Sequence, residues 1–510
     1  MLQHKHKIMR LVISIFFLLF SMSVWAQKNL ISSDNKTEPI PTGITATITK
    51  NTVSIVGGKK IEYTAYSGFL SQQNDTGKLV AKVFFTYYKK DAEDVAKRPI
   101  CFTFNGGPGS SSVWLHMGGL GPKRVLLQDD GTAPPPPYQI VNNEYTWLDK
   151  TDLVFIDPVS TGFSYAASGE SAKQFHGYVE DVQSIASFIR SFLSKYERWA
   201  SPKYLAGESY GTTRAAGLSK YLTDNYRIYI NGILLISPVL NFGTNDVAVG
   251  NDLPFVLYVP SYTAAAWYHK KLAASLQTDL QKTLRESEAF AMNEYAPVLL
   301  KGEWLSDSDK DKIAEKLSYY TGLSKAYILQ ANLRVSDGRF YKELRRKDGL
   351  SIGRLDSRFT GHNFDDAGEG PDFDPSFTNI DGPFTSTMND YFERELNLKE
   401  DRAYNIFGNV YPWNYNNVQN QYLNVAESLR DAMTKNTNLK VYIGSGYYDF
   451  ATPYFTANFD VAHMFLQPEL RKNLKHYYYE SGHMYYINKP SMIQFKKDVD
   501  SFFEWSNNVK

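Results

Sequence analysis

The chain has 510 residues and almost no cysteine, because Cys101 is the single one. An intramolecular disulfide is therefore excluded. Cys101 lies in the apolar run Ile100–Phe104, where we expect a small buried residue on a strand rather than a nucleophile. A large exported chain without disulfides suits a bacterial periplasm better than the eukaryotic secretory route.

The chain also lacks an excess of charge of either sign. Its 55 basic and 54 acidic residues nearly cancel, which argues against a broad electrostatic field for nucleic acid or an anionic membrane. The sequence shows no zinc-ligand pair at helical spacing and no glycine loop that would cradle a phosphate. We therefore expect no nucleic-acid partner, no metal and no cofactor. The oligomeric state stays open.

The amino-terminal segment carries an apolar run at residues 11–24, after Lys5, Lys7 and Arg10. This pattern is typical of a signal peptide, here cleaved after Ala26. An uncleaved membrane anchor is the alternative, but the run is shorter than the roughly 20 residues that a spanning helix needs. We expect an exported bacterial protein, periplasmic or secreted, without stable membrane association after cleavage.

The next part of the chain has the pattern of a mixed α/β protein. Residues 44–88 alternate apolar and polar side chains around Gly57 and Gly58, which predicts antiparallel strands and hairpins. Helical spacing of apolar residues at 175–196 predicts one amphipathic helix. Short apolar runs predict buried strands of a largely parallel sheet at 100–104, 153–156, 204–206, 232–236 and 439–443. Strands alternating with helices indicate an α/β fold.

The region after Pro238 departs from this pattern. We expect a signal peptide at 1–26, a first core segment at 27–245, an inserted cap at 246–430 with helices such as 308–321, and a second core segment at 431–510. The cap contains an acidic, Gly/Pro-rich stretch at 361–383. Its carboxylates suggest a calcium site as one alternative, but their spacing fits no calcium loop, so a solvated loop is favoured. They are Asp365, Asp366, Glu369, Asp372, Asp374 and Asp381.

A serine between two glycines follows the predicted strand at 204–206. The segment reads Gly207-Glu208-Ser209-Tyr210-Gly211, and such a turn from strand to helix exposes the hydroxyl of a nucleophile. The pattern is common by chance, so its weight depends on the residues around it.

A serine hydroxyl needs a base to remove its proton and an acid to orient that base. In this arrangement the acid and the histidine follow the serine in the chain, each after a strand. Asp449 comes after the strand predicted at 439–443, and His483 comes just past the segment His476-Tyr477-Tyr478-Tyr479. The order therefore predicts Ser209 as nucleophile, His483 as base and Asp449 as orienting acid.

An oxyanion hole needs two backbone N–H donors beside the serine. Tyr210, the residue after the nucleophile, is the expected first donor. A glycine turn, Asn105-Gly106-Gly107-Pro108-Gly109, follows the strand at 100–104 and is the expected source of the second. Trp114 and His116 lie just beyond that turn, and lining the pocket and packing in the core are equally favoured for them.

Four segments together resemble the serine carboxypeptidases over roughly 80–240 and 435–510. They are the turn 105–112, the segment Asp157-Pro158-Val159-Ser160-Thr161-Gly162-Phe163-Ser164-Tyr165, the elbow 207–211 and Gly482-His483-Met484. The resemblance implies an α/β-hydrolase fold, with a mostly parallel central sheet and an inserted cap, and removal of single residues from peptide carboxyl termini. It also implies Gly107 and Tyr210 as oxyanion donors.

The same resemblance implies that Asn105 and Glu208 bind the terminal carboxylate of the substrate, with Glu208 sharing a proton because two close negative charges repel. Members of that family usually carry a second glutamate at the position of Gly119, which puts the proton-sharing pair and an acidic pH optimum in question. They also carry a cysteine at the position of Ser110.

Three functions fit the sequence. The first is a serine carboxypeptidase acting on peptides through an acyl-enzyme. The second is an esterase, amidase or acyltransferase on the same fold, which Gly119 favours. The third is a non-catalytic binding protein, which the complete set of Ser209, His483 and Asp449 disfavours. Cleavage of a peptide with a free or an amidated carboxyl terminus separates the first two.

Overall fold

A computed structural model describes residues 43–507. The signal peptide expected at 1–26 lies outside the described residues. The strands are β1 (Ile44–Ser54), β2 (Lys60–Gln73), β3 (Leu79–Lys90), β4 (Ile100–Phe104), β5 (Lys123–Val125), β6 (Ile140–Asn142), β7 (Asp152–Ile156), β8 (Tyr165–Ala166), β9 (Lys203–Ser209), β10 (Gly232–Pro238), β11 (Leu350–Ile352), β12 (Thr360–His362), β13 (Lys440–Gly446) and β14 (Leu474–Tyr479).

One mixed sheet organises the chain, in the order β1-β2-β3-β7-β4-β9-β10-β13-β14, with β8 paired to β3. Strands β1, β2 and β3 form antiparallel hairpins, and β3 runs antiparallel to β7. From β7 to β14 every neighbouring pair is parallel. The sequence prediction of an antiparallel beginning followed by a parallel sheet is confirmed. Short hairpins β5–β6 and β11–β12 stand apart from it and were not predicted.

Helices cover both faces of this sheet. They are α1 (Val113–Leu115), α2 (Tyr178–Lys195), α3 (Tyr210–Tyr221), α4 (Leu253–Tyr268), α5 (Leu280–Phe290), α6 (Ala296–Leu299), α7 (Asp307–Thr321), α8 (Lys325–Gln330), α9 (Asp337–Glu343), α10 (Pro375–Arg394), α11 (Ala426–Lys435), α12 (Tyr454–Ala462), α13 (Pro468–Arg471) and α14 (Lys489–Asn507).

The alternation of side chains along the parallel strands divides the core into two layers. On β4, Phe102 packs into the cluster that contains α2, α3 and α11, whereas Cys101 packs into the cluster that contains α10 and α14. Both residues are fully buried, because the two faces of a parallel sheet are covered by helices. The buried, unreactive role expected for Cys101 agrees with this position, since burial raises the pKa of its thiol.

A third apolar cluster is built by α4, α7, α8 and α9 in the region predicted as a cap. The division into core and cap stays a prediction. The acidic stretch is not a single loop, because α10 begins at Pro375 inside it. Asp374 caps this helix by accepting a hydrogen bond from the Ser376 amide, and a proline in the first turn costs no backbone bond. Of the helices in residues 43–507, none is long and apolar enough to cross a bilayer.

Candidate active site

Ser209 ends β9, and α3 begins at the next residue, Tyr210. The backbone of Ser209 has φ 59° and ψ −130°, a conformation that costs energy outside glycine and that occurs at functional turns. A methyl group on Gly207 would lie 2.1 Å from the Gly211 carbonyl oxygen. A methyl group on Gly211 would lie 2.7 Å from the Phe104 carbonyl oxygen. Both glycines are therefore required for the sharp turn, which leaves Ser209 half-buried beside a cavity.

The glycine turn packs directly against this elbow. A methyl group on Gly106 would lie 2.4 Å from the Tyr210 nitrogen, so only glycine permits this approach. Arg214 on α3 donates a 2.6 Å hydrogen bond to the Asn105 carbonyl and is paired with Asp181 at 2.7 Å. The turn that carries Gly107 is thereby fixed next to the amino terminus of α3, where backbone N–H groups favour negative charge.

Asp449 and His483 meet at the same edge of the sheet. Asp449 follows β13 and His483 follows β14, and both strands are parallel to β9. The Nδ1 atom of His483 lies 2.7 Å from Oδ2 of Asp449. This contact leaves Nε2 as the ring nitrogen that faces away from the acid. The structure therefore brings together the three residues that the sequence predicted as a triad.

The carboxylate of Asp449 is fully buried and saturated with donors. Besides His483, it accepts hydrogen bonds from the amides of Ala451 and Thr452 and from the Thr452 hydroxyl, at 2.7, 3.0 and 2.8 Å. Burial lowers the pKa of His483, but the Asp449 carboxylate outweighs this effect, so the pKa is raised. Between Ser209 Oγ and His483, both described residues, the structure has no hydrogen bond; such contacts often tighten only with substrate.

A short segment at 354–358, between β11 and β12, connects the loops that carry the acid and the histidine. The Arg354 carbonyl accepts from the Phe450 amide at 3.1 Å, and the Leu355 carbonyl accepts from the His483 amide at 2.6 Å. Asp356 accepts from the Gly482 amide at 3.0 Å and is paired with Arg358. No sequence pattern pointed to this segment, although it fixes the relative position of Asp449 and His483.

Asn105 and Glu208 lie within hydrogen-bonding distance beside the nucleophile. The Asn105 amide donates to Glu208 Oε1 at 3.0 Å, and its own oxygen accepts from the Leu115 amide. Glu208 is 3% exposed and has no cationic partner within ion-pairing distance in residues 43–507. Burial is the main cause that raises the pKa of Glu208 to about 7.

Tyr486 provides the second hydrogen-bond donor to the Glu208 carboxyl group, and the sequence did not predict it. Its hydroxyl donates to Oε2 of Glu208. A methyl group at Gly119 would lie 2.9 Å from Tyr486 Cβ, so the ring of Tyr486 fills the space beside the position at which a second glutamate was expected. The missing carboxyl partner is replaced by a phenol from the histidine loop. The signal in the sequence is the tyrosine three residues after His483.

The site opens into a cavity of about 270 Å³. Ser209, His483, Glu208, Asn105 and the turn Gly106–Pro108 contribute to its walls, together with apolar side chains and one cation. The further lining residues are Ser110, Trp114, Arg354, Leu355, Phe377, Ile380, Phe407, Gly408, Tyr411, Ala451 and Met484.

Trp114 and His116, which follow the glycine turn, have different roles: one lines the cavity and the other packs in the core. Trp114 lines the cavity. His116 does not, because it is buried, with its ring stacked on Phe155 at 4.1 Å and its Nε2 2.6 Å from the Tyr88 hydroxyl. Burial lowers the pKa of His116 to about 3, so it stays neutral. In the part of the chain that the structure describes, no three His, Cys, Asp or Glu residues are grouped to hold a metal.

The parallel sheet, the strained turn at Ser209 and the Asp449–His483 pair define a protein with the architecture of an α/β-hydrolase. More narrowly, the chain belongs to the serine carboxypeptidase family, because the family model described as serine carboxypeptidase matches residues 57–487.

Individual relatives agree with this assignment over shorter lengths. Serine carboxypeptidase-like 36 of Arabidopsis thaliana is 27% identical over 191 residues, which cover 36% of this chain and 37% of that protein. The pheromone-processing carboxypeptidase kex1 of Schizosaccharomyces japonicus is 30% identical over 172 residues, covering 33% of this chain and 30% of its own length. The match thus spans roughly a third of these curated relatives.

The fold extends further than the sequence match. The crystal structure of Kex1(delta)p, a prohormone-processing carboxypeptidase from Saccharomyces cerevisiae, superposes with a TM-score of 0.51 at 16% identity. The superposition covers 86% of this chain and 91% of the other. This likeness establishes the α/β-hydrolase fold with its mostly parallel central sheet, as the sequence predicted.

Proposed function

We propose that this protein is a serine carboxypeptidase that releases residues from the carboxyl termini of peptides. The observation that carries the proposal is one cavity lined both by Ser209 and His483, which is bonded to Asp449, and by the buried Asn105–Glu208 pair. The first provides a nucleophile, and the second provides donors for a carboxylate next to the scissile bond. An esterase has no need of the second feature.

In the proposed reaction, Ser209 Oγ attacks the last peptide carbonyl while His483 Nε2 accepts the hydroxyl proton. The N–H groups of Gly107 and Tyr210 stabilise the negative oxygen of the tetrahedral intermediate. His483 then donates its proton to the leaving amine, and the terminal residue departs. Water, deprotonated by His483, hydrolyses the acyl-enzyme and frees Ser209. Asp449 holds the imidazole in the required tautomer throughout.

The terminal carboxylate of the substrate is proposed to bind between Asn105 and Glu208. Two adjacent negative charges repel, so Glu208 must hold a proton when the substrate is bound. A pKa of about 7 for Glu208 allows that at neutral and acidic pH. The hydrogen bond that Tyr486 donates to Glu208 lowers this pKa in part, but burial has the larger effect and keeps it raised.

The nucleophile is tested by Ser209→Ala. Turnover of a peptide with a free carboxyl terminus should fall by at least about 10⁴-fold, the scale of losses for triad residues. Labelling by a fluorophosphonate should disappear as well. Ser501→Ala, which changes an exposed serine on α14, is the matched control and should keep both. Unchanged turnover by Ser209→Ala would exclude the mechanism.

The substrate class is tested with one peptide in two forms, with a free and with an amidated carboxyl terminus. The free acid should be strongly preferred by the wild type, and Asn105→Ala should reduce that preference. If both forms are cleaved at equal rates, the esterase, amidase or acyltransferase alternative replaces the carboxypeptidase.

We also propose that the protein is exported from a bacterial cell, on the basis of the charged and apolar segment at 5–24 and the single cysteine. Expression of the full chain in a bacterium should give a periplasmic or secreted protein whose first residue is Gln27 by mass spectrometry. A chain that keeps residues 1–26 and stays with the membrane fraction would contradict this.

A further inference from the structure

Arg354 is a cation in the wall of the same cavity as Ser209. It lies between β11 and β12 and its side chain is exposed. Its backbone is fixed on both sides, since the amide donates to Asp374 at 3.1 Å and the carbonyl accepts from the Phe450 amide at 3.1 Å. The position of the residue is therefore defined, and it borders the space that a substrate would fill.

The guanidinium has no hydrogen-bond or ion-pair partner within residues 43–507. The phenols of Tyr341 and Tyr258 and the carboxylates of Asp449 and Asp337 act on it electrostatically but form no hydrogen bond or ion pair with it. Each carboxylate is already hydrogen-bonded, Asp449 to the four donors described above and Asp337 to the Tyr341 hydroxyl at 2.6 Å. Arg354 thus forms no direct contact with either carboxylate, and its guanidinium donors are available to a ligand.

The chemistry of the cavity indicates what Arg354 would bind. The other titratable groups of the lining are Glu208, His483 and the phenol of Tyr411. Glu208 and His483 are engaged in the network around Ser209, so Arg354 is the one guanidinium or ammonium group among the described lining residues. The remaining walls are mostly apolar or aromatic, which strengthens an ionic contact. A guanidinium stays charged at every relevant pH and presents a fork of donors that matches a carboxylate.

We propose that Arg354 binds an acidic side chain on one of the two substrate residues that flank the scissile bond, so that the enzyme selects peptides with aspartate or glutamate there. This inference rests on the proposed carboxypeptidase function. The terminal α-carboxylate is the other possible source of negative charge. We assign it to Asn105 and Glu208, whose amide and carboxyl groups are already oriented beside Ser209.

The experiment measures binding apart from turnover. In the Ser209→Ala protein, peptides that differ only by Asp against Asn at the terminal or the penultimate residue are titrated calorimetrically. The acidic peptide should bind more tightly at one of these positions. Adding Arg354→Gln should reduce that ratio of Kd values by about tenfold or more, the scale of a hydrogen bond to a charged group. Arg354→Lys should retain part of the preference.

Two further arms decide what a negative result means. Arg394→Gln, an exposed arginine of α10 paired with Asp390, is the control and should leave the ratio unchanged. If Arg354→Gln lowers the affinity for acidic and neutral peptides equally, or alters only the preference for a free over an amidated terminus, the proposal is wrong. The same holds if kcat falls for every peptide with a shifted pH profile, because Arg354 would then act through His483.

Failure of the proposed function has a different signature. In that case the wild-type protein cleaves none of these peptides, whatever their side chains, while the binding ratios in the Ser209→Ala protein still report on Arg354. Turnover of neutral peptides together with equal affinities for Asp and Asn would overturn the inference alone.

Discussion

Two buried carboxylates at opposite edges of the sheet have opposite surroundings. Asp152 begins β7 at the amino edge of the parallel strands, and it is fully buried between Arg98 and Arg198, each at 2.5 Å. Glu208 lies at the carboxyl edge, next to the end of β9, and it has only the neutral donors Asn105 and Tyr486. Both groups are equally inaccessible to bulk water, but only one is compensated by cations.

The difference separates a structural charge from a functional one. A buried carboxylate paired with two guanidinium groups offsets their charge, and its removal leaves those cations uncompensated. A buried carboxyl group held by neutral donors has a raised pKa, which lies close to the pH at which the protein works. Such a group can take up and release a proton. The comparison predicts that changes at Asp152 affect stability, whereas changes at Glu208 affect the dependence of activity on pH.

The largest effect is expected for Asp152→Ala. The substitution leaves Arg98 and Arg198 as unpaired buried charges, so the free energy of unfolding should fall by about 3–5 kcal/mol. Urea denaturation followed by circular dichroism measures the change. Asp129→Ala, at an exposed pair with Lys489, is the control and should stay within about 0.5 kcal/mol. A comparably small loss for Asp152→Ala would remove the distinction between the two carboxylates.

The sequence revealed those parts of the site that depend on local turns and strand order. Gly207 and Gly211 mark the elbow because no other residue fits there. Asp449 and His483 could be assigned because the carboxyl ends of parallel strands share one edge of a sheet. The strand predictions from 44 to 104 are confirmed because alternating side chains and apolar runs reflect which faces of a strand are buried.

Contacts between distant segments could not be predicted in this way. Tyr486 meets Gly119 and Glu208 only because β14 returns the chain to the edge at which β9 ends. The segment at 354–358 acts through its backbone carbonyls and one aspartate, which no composition or spacing distinguishes. A single sequence gives no pairing for such residues, because tertiary packing between segments far apart in the chain brings them together.

The next effect in size concerns Glu208→Gln. In the wild type, the protonated fraction of Glu208 falls tenfold for each pH unit above about 7. The KM for a peptide with a free carboxyl terminus should rise by about the same factor, because an ionised Glu208 repels the substrate carboxylate. Glutamine is neutral at every pH and accepts the same hydrogen bond from Asn105, so that rise should vanish in Glu208→Gln.

The measurement is KM against pH from 5 to about 9, with the amidated peptide as the control substrate. The amidated form carries no terminal charge, so its KM should not follow the ionisation of Glu208. A wild-type KM that is flat for the free acid across this range would show that Glu208 does not contact the carboxylate.

The smallest effect is expected for Tyr486→Phe, and its sign tests the role of the phenol. The hydrogen bond from Tyr486 lowers the pKa of Glu208 against the larger effect of burial. Its removal should therefore raise that pKa further, and the increase of KM for the free-acid peptide should begin at a higher pH than in the wild type. Oε2 of Glu208 also loses its donor, which costs about 1–3 kcal/mol of stability, less than the loss at Asp152.

Tyr477→Phe, on β14 and outside the cavity lining, is the matched control. An onset that moves to lower pH in Tyr486→Phe would mean that the phenol favours the protonated rather than the ionised form of Glu208.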